Sequence, residues 1–174
     1  MCQVYTSANT SINSKKLPQI YTKARKAHLI KSGDVVLDYG CGKHTEHLQK
    51  YLENIGAFFN GYDKYNQPSD INNHSLMYGI NTGYECVLCS NVLNVIDDYT
   101  EMQRVIIKCV SMAKRCAVFT VYEGDKTGIG KQTKKDCYQR NAKRQWYYEE
   151  IHKALIGTEY KRVYTKYNMI VVEK

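Results

Sequence analysis

Apolar residues recur along this chain in short blocks divided by polar turns, and the spacing within a block alternates between two periods. Leu17, Ile20, Ala24, Ala27, Leu29 and Ile30 recur near helical spacing, which predicts an amphipathic helix over 17–30 that Ser32-Gly33-Asp34 ends. Val35-Val36-Leu37 is a short buried strand closed by Asp38, and the chain then turns on Gly40 and Gly42. Leu48, Tyr51, Leu52 and Ile55 predict a helix from about Thr45 to Ile55, stopped by Gly56. Ala57–Tyr62 reads as a second strand, ending in Asp63. Lys64–Tyr84 is polar and weakly patterned, so a loop with at most one short strand or helical turn is expected. Cys86–Cys89 predicts a third strand. Tyr99–Ala113 predicts a helix with Met102, Val105, Ile106, Cys109 and Met112 on one face, and Cys116–Tyr122 predicts a further strand. After a polar loop come a helix over Tyr147–Leu155, stopped by Gly157, and a hairpin pairing Val163–Thr165 with Met169–Val172 around Lys166-Tyr167-Asn168.

Strands that alternate with helices predict an α/β fold: a three-layer, doubly wound, mostly parallel sheet, here with a C-terminal antiparallel hairpin. At 174 residues the chain is expected to be one domain (1–174), with 1–14 peripheral and 123–145 forming an active-site loop. Such sheets bind ligands at the carboxyl ends of their strands. Asp38–Lys43, Asp63, Ser90–Asn94 and Tyr122–Asp125 therefore fall on one edge.

Composition narrows the class. No window approaches the run of about 18 apolar residues that a membrane span needs, and no apolar leader opens the chain, so a cytoplasmic protein without a membrane partner is expected. The seven cysteines form no disulfide or metal framework. Cys86 and Cys89 make a lone C-x-x-C inside an apolar run and read as core thiols, so no metal is expected. The net charge is +8, with six bases and no acid in the first 33 residues and a second basic stretch from Lys126 to Arg144. That field attracts anionic partners, nucleic acid among them.

The chemistry concentrates in Asp38-Tyr39-Gly40-Cys41-Gly42. A glycine turn between strand and helix brings backbone close to a ligand. A dinucleotide site asks for a third small residue where this chain has Thr45, and Asp38 would repel a diphosphate. Asp38 suits a cationic ligand instead, and S-adenosylmethionine (SAM) carries a sulfonium and an ammonium group. Asp63 stands 23 residues after Gly40, where an acid accepts hydrogen bonds from both ribose hydroxyls. The D-x-G-x-G string resembles motif I of the class I SAM-dependent methyltransferases. Ser90-Asn91-Val92-Leu93-Asn94-Val95-Ile96 resembles the end of their fourth strand, most nearly in small bacterial and phage-encoded members. The resemblance covers about Val35 to Tyr122, roughly half the chain.

It implies SAM as cofactor and S-adenosylhomocysteine (SAH) as product, held by Asp38, Tyr39, Gly40, Cys41, Gly42, Asp63, Lys64, Ser90, Asn91 and Val92. Asn94, Tyr122, Lys131, Gln132 and Arg140 are the candidate substrate contacts, and Glu123 is the candidate catalytic acid or base. The activity implied is methyl transfer to an O, N or S acceptor, by a monomer or homodimer. The sequence does not identify the acceptor; the basic charge is what points toward nucleic acid or another anionic molecule. The competing reading is a nucleic-acid-binding module that keeps the fold without turnover. Three features depart from the family pattern. His44 stands where a third glycine is common. The usual third strand with its adenine-contacting acid is matched only by Asp70-Ile71. Neither the [DNS]-P-P-[YFW] motif nor a Pro-Cys pair follows the Cys86–Cys89 strand.

Overall fold

The computed structural model describes residues 15–174; the expectation for 1–14 lies outside them. The elements run α1 (Gln19–Lys26), β1 (Val35–Tyr39), α2 (Glu46–Asn54), β2 (Phe58–Tyr62), α3 (Ser69–Asn81), β3 (Tyr84–Ser90), α4 (Tyr99–Met112), β4 (Ala113–Thr120), β5 (Gly130–Lys134), β6 (Cys137–Arg140), α5 (Arg144–Ala154), β7 (Arg162–Lys166) and β8 (Met169–Glu173). Six strands form one sheet in the order β2-β1-β3-β4-β8-β7. The first four are parallel; β8 runs antiparallel to β4 and β7 antiparallel to β8, so β7 again runs in the direction of the first four. The β7–β8 hairpin closes on Tyr167 and Asn168, both at positive φ, as a two-residue turn requires.

The central strands are covered on both faces, which is why they read as unbroken apolar runs. On one face Val36, Cys86, Leu88, Cys116 and Val118 pack beneath Ile20, Tyr21 and Ala24 of α1 and Leu48 and Leu52 of α2. On the other, Leu37, Val87, Cys89, Ala117 and Phe119 pack against α4 and α5 through Met102, Ile106, Cys109, Tyr147 and Ile151. The pleat thus sends Cys86 and Cys89 to opposite faces, each fully buried, so the two thiols cannot share a ligand.

Two expectations need correction. The stretch read as loop over Lys64–Tyr84 contains the 13-residue helix α3. Its sheet-facing side is small and polar, so it carries no helical apolar period. Gly79 lets it approach closely: a Cβ there would lie 2.5 Å from Met112 Sδ. Asn72 and Ser75 bond the backbone at the end of β2. Asp63 N–H donates to Asn72 Oδ1 (2.9 Å), Asn72 Nδ2 donates to Asp63 O (2.9 Å), and Ser75 Oγ donates to Gly61 O (2.7 Å). No strand pairs with the outer edge of β2 among the described residues; α3 covers that edge instead. Asp70 and Ile71, the proposed match for a third strand, lie in the first turn of this helix and are exposed.

The second correction concerns 123–145, read as loop. It contains the separate β5–β6 hairpin. Only β6 shows the strand period, with Cys137 and Gln139 buried and Tyr138 and Arg140 half-buried, while β5 is largely exposed along its length.

Candidate functional site

The carboxyl ends of β1, β2 and β3 open onto a cavity of about 730 Å³, a size suited to a nucleoside-bearing ligand. Its floor is the turn after β1. Gly40 and Gly42 have φ of +91° and +75°. A Cβ at Gly40 would stand 2.3 Å from Val92 Cγ2, so glycine is required both by the backbone and by the approach of the β3 end. The amides of this turn are committed. Gly40 N–H (2.6 Å) and Cys41 N–H (3.2 Å) donate to Tyr62 O, and Gly42 N–H donates to Asp63 Oδ2 (3.0 Å). They therefore form no cradle for a diphosphate, which needs free N–H groups at this point.

Asp38 is buried at the head of the turn. Tyr21 of α1 donates its hydroxyl to Asp38 Oδ2 (2.7 Å), while Asp38 Oδ1 is buried without a hydrogen-bond partner. Burial pushes the Asp38 carboxyl up to about 7; the Tyr21 hydrogen bond works against the rise and the Asp63 charge adds to it. Burial also raises the Cys41 thiol, helped by the charges of Asp38 and Asp63, which makes it a poor nucleophile. Asp63 is more heavily engaged than Asp38. Its Oδ1 accepts from Tyr65 N–H, Asn66 N–H and Asn66 Nδ2, and its Oδ2 accepts from Gly42 N–H. A carboxylate has about four acceptor sites, two on each oxygen, so the open one is on Oδ2. That leaves room for one hydroxyl where the sequence suggested two.

The third wall is the end of β3. Asn91 adopts φ 57° and donates its N–H to Thr120 O (2.8 Å), while the Ser90 and Thr120 hydroxyls are 3.1 Å apart. All ten residues expected to hold the cofactor, from Asp38 through Val92, line this one cavity. The sequence reading missed the remaining walls. Lys16, Leu17, Pro18 and Gln19 enter from the start of α1, and His47 comes from α2. Glu101, Arg104 and Lys108 form a stripe along α4. Neighbouring His44 is half-buried and does not line the cavity.

The expected substrate contacts lie elsewhere. Asn94 is buried and donates to Gln139 Oε1 (3.1 Å), tying the β5–β6 hairpin to the segment after β3. Arg140 donates to the carbonyls of Ile96 (3.1 Å) and Asp97 (3.0 Å) and stacks on Trp146. Both are anchors of the hairpin. Tyr122, Lys131 and Gln132 are exposed outside the cavity, and Lys131 pairs with Asp125 at 2.9 Å. Glu123 accepts from Arg144 N–H (2.6 Å) at the start of α5, which holds its carboxyl below the usual range. It lines a separate cavity of about 310 Å³.

No family model matches the sequence, and no curated protein does. Solved structures do match. A protein from Nostoc punctiforme, provisionally assigned as an O-methyltransferase, superposes with a TM-score of 0.54 at 13% identity, over 90% of this chain and 57% of that one. A SAM-dependent methyltransferase from Mesorhizobium loti gives 0.50 at 10% identity, over 88% and 96% of the two chains. The N-methyltransferase NodS from Bradyrhizobium japonicum, solved with SAH, gives 0.50 at 12% identity, over 99% and 97%. The chain has the class I methyltransferase fold. Within that fold the cavity sits where the parallel strands end, with α3 beside β2 in place of a third strand. Among the described residues no helix is long and apolar enough to cross a membrane, and no group of three or more His, Cys, Asp or Glu is placed to hold a metal ion.

Proposed function

We propose that the chain binds SAM in this cavity and transfers its methyl group to an oxygen, nitrogen or sulfur acceptor. The observation that carries the reading is the pairing of Asp38 with the committed glycine turn. A buried carboxylate keeps one oxygen without a donor, and the adjacent amides offer an anion nothing. The ligand that fits is cationic at this end and carries a hydroxyl toward Asp63.

SAM, when bound, supplies an activated methyl on a sulfonium. The residues of the chain then have modest tasks. Asp38 would neutralise the ligand's ammonium and Asp63 would orient the ribose through Oδ2, while Ser90 and Asn91 would wall the cavity at the end of β3. Orientation carries most of the rate, since the leaving group is already good. Lys16, Lys64, Arg104 and Lys108 at the cavity favour an anionic acceptor.

Thermal unfolding with SAH, SAM, NAD and NADP tests this. A ligand at a hundred times its dissociation constant adds about 2.7 kcal/mol, worth roughly 5–10 °C in a domain of this size. SAH and SAM are expected to raise the midpoint by that amount while NAD and NADP leave it unmoved. Stabilisation by NAD and not by SAH would overturn the proposal.

A further inference from the structure

The stretch from Lys126 to Arg144 lines no part of the cavity, yet it holds most of the chain's charge. It carries seven bases and one acid, Asp136, a surplus of six against +8 for the whole chain. Two of the bases have acid partners just upstream, Lys126 with Glu123 at 3.7 Å and Lys131 with Asp125 at 2.9 Å, and both stay more than half exposed. Lys134 ends β5 and Lys135 stands at the tip of the hairpin; both are exposed and enter no ion pair among the described residues. A bulge between Gln132 and Lys134 sets Lys131 opposite Gln139 and Lys134 opposite Cys137. Cross-strand partners share a face, so Lys131 and Lys134 lie on one side of the ribbon, about 7 Å apart by the rise of two strand residues.

The hairpin is rooted at the cavity rim. Gln139 and Arg140 bond Asn94, Ile96 and Asp97, and Val95 and Ile96 line the cavity. Tyr122 stands at the same root. Its N–H donates to Asn94 Oδ1 (3.4 Å), and its carbonyl accepts from Gln139 Nε2 (3.1 Å). Two residues earlier, Thr120 O accepts from the N–H of Asn91, itself a cavity residue (2.8 Å). The Tyr122 backbone is thus held from two sides, while its ring is 63% exposed. Charge of this kind draws any polyanion. A fixed, exposed ring selects one that carries flat bases, which stack on aromatic side chains whatever their sequence. A duplex keeps its bases in its own stack, so an unpaired base is the one that reaches both the ring and the cavity beside it. Resting on the proposed function, we propose that the methyl acceptor is a single-stranded nucleic acid, its phosphates tracking β5 and one base stacked on Tyr122 at the cavity mouth. In the transfer the bond from methyl carbon to sulfonium sulfur breaks with its electron pair left on sulfur, giving SAH. A nitrogen or oxygen lone pair of the strand forms the new bond, and the proton that atom carried passes to water.

The test uses fluorescein-labelled random-sequence pools of RNA and of DNA about 20 nucleotides long, more than a single site needs, both single-stranded and duplex, with labelled polyglutamate as the acidic polypeptide. Anisotropy is expected to show single strands bound more tightly than duplexes; a preference for RNA or for DNA supports the proposal either way and names the sugar. Tyr122→Ala is expected to weaken binding about tenfold, while Tyr122→Phe stays within about threefold. Lys134→Gln combined with Lys135→Gln is expected to lower the slope of log affinity against log salt by about 1.4. Methyl-tritiated SAM is expected to label the bound single strands. Tighter binding of duplex or polyglutamate, a Tyr122→Ala variant that binds as the native chain does, or single strands that take up no label each overturn the proposal. SAH titrated into the same native chain separates the two failures. A chain that binds SAH and no strand overturns this inference alone, and one that binds neither SAH nor SAM overturns the proposed function. All three substituted side chains are exposed, so the variants keep the fold, and an SAH affinity equal to the native chain's checks this.

Discussion

Replacing Asp38 by Asn separates what the fold wants at this position from what the cavity wants. The carboxyl is buried, holds one hydrogen bond from Tyr21 and has one oxygen without a donor, so its ionised form is costly. Its pKa is about 7 in the folded chain, against roughly 4 in an unfolded one. The folded state therefore holds this proton more tightly than the unfolded state does. The stability that follows is complete below about pH 4, declines by about 1.4 kcal/mol per pH unit up to pH 7, and is absent above. The whole effect is on the order of 4 kcal/mol. Asn has the shape of the protonated acid and no charge to bury. Urea unfolding of both proteins at pH 5 and pH 8 reads the difference directly. Lowered carboxyls such as Asp125 and Glu123 are present in both proteins and cancel. Between the two pH values the Asp38→Asn variant is expected to gain about 3 kcal/mol on the native chain, from the two pH units that lie below 7. SAH binding is expected to move the other way, weakening tenfold or more in the variant because the ammonium loses its counter-ion. A stability difference that is equal at both pH values would refute the reasoning, since it would mean that Asp38 is ionised throughout and that Oδ1 is satisfied by a donor.

Gly40→Ala is expected to lose about 3 kcal/mol in urea unfolding, from the left-handed backbone and from a Cβ 2.3 Å from Val92 Cγ2. Adding Val92→Ala leaves only the Val92 Cβ, at 3.6 Å, and should recover about half of that loss; a neutral Gly40→Ala would show that the turn is freer than described. Arg140→Lys removes the paired donation to Ile96 and Asp97, so the β5–β6 hairpin should be cleaved faster by a protease that does not cut at Lys or Arg, such as chymotrypsin, while SAH affinity stays put. A tenfold fall in that affinity would show that the hairpin belongs to the binding site.

What the sequence disclosed follows from where information is local. β1, β3, β4 and β8 are covered on both faces, so burial writes an apolar run onto each. The glycine turn is legible because its requirements, positive φ and contact with Val92, fall on single residues whose type cannot vary. α3 was illegible for the opposite reason. Its inward side does the work of a strand edge, with Asn72 and Ser75 bonded to β2 and Gly79 pressed on Met112, while Met77 and Ile80 face out. The helix thus inverts the pattern by which helices are found, and the polar stretch read as loop. Glu101, Arg104 and Lys108 were missed for a third reason. On a helical wheel they flank the apolar stripe of Met102, Ile106 and Cys109, where charge ordinarily marks a face turned to water. Only the rotation of α4 about its own axis, fixed when those apolar residues pack on the sheet, decides that the stripe beside them walls a cavity. Strand ends can be placed from the chain alone, because a doubly wound sheet puts them all on one edge. A helix face cannot, because its azimuth is a property of the packed core. The three acids of the cavity divide along that line: Asp38 and Asp63 close strands and were readable, and Glu101 lies on a helix and was not.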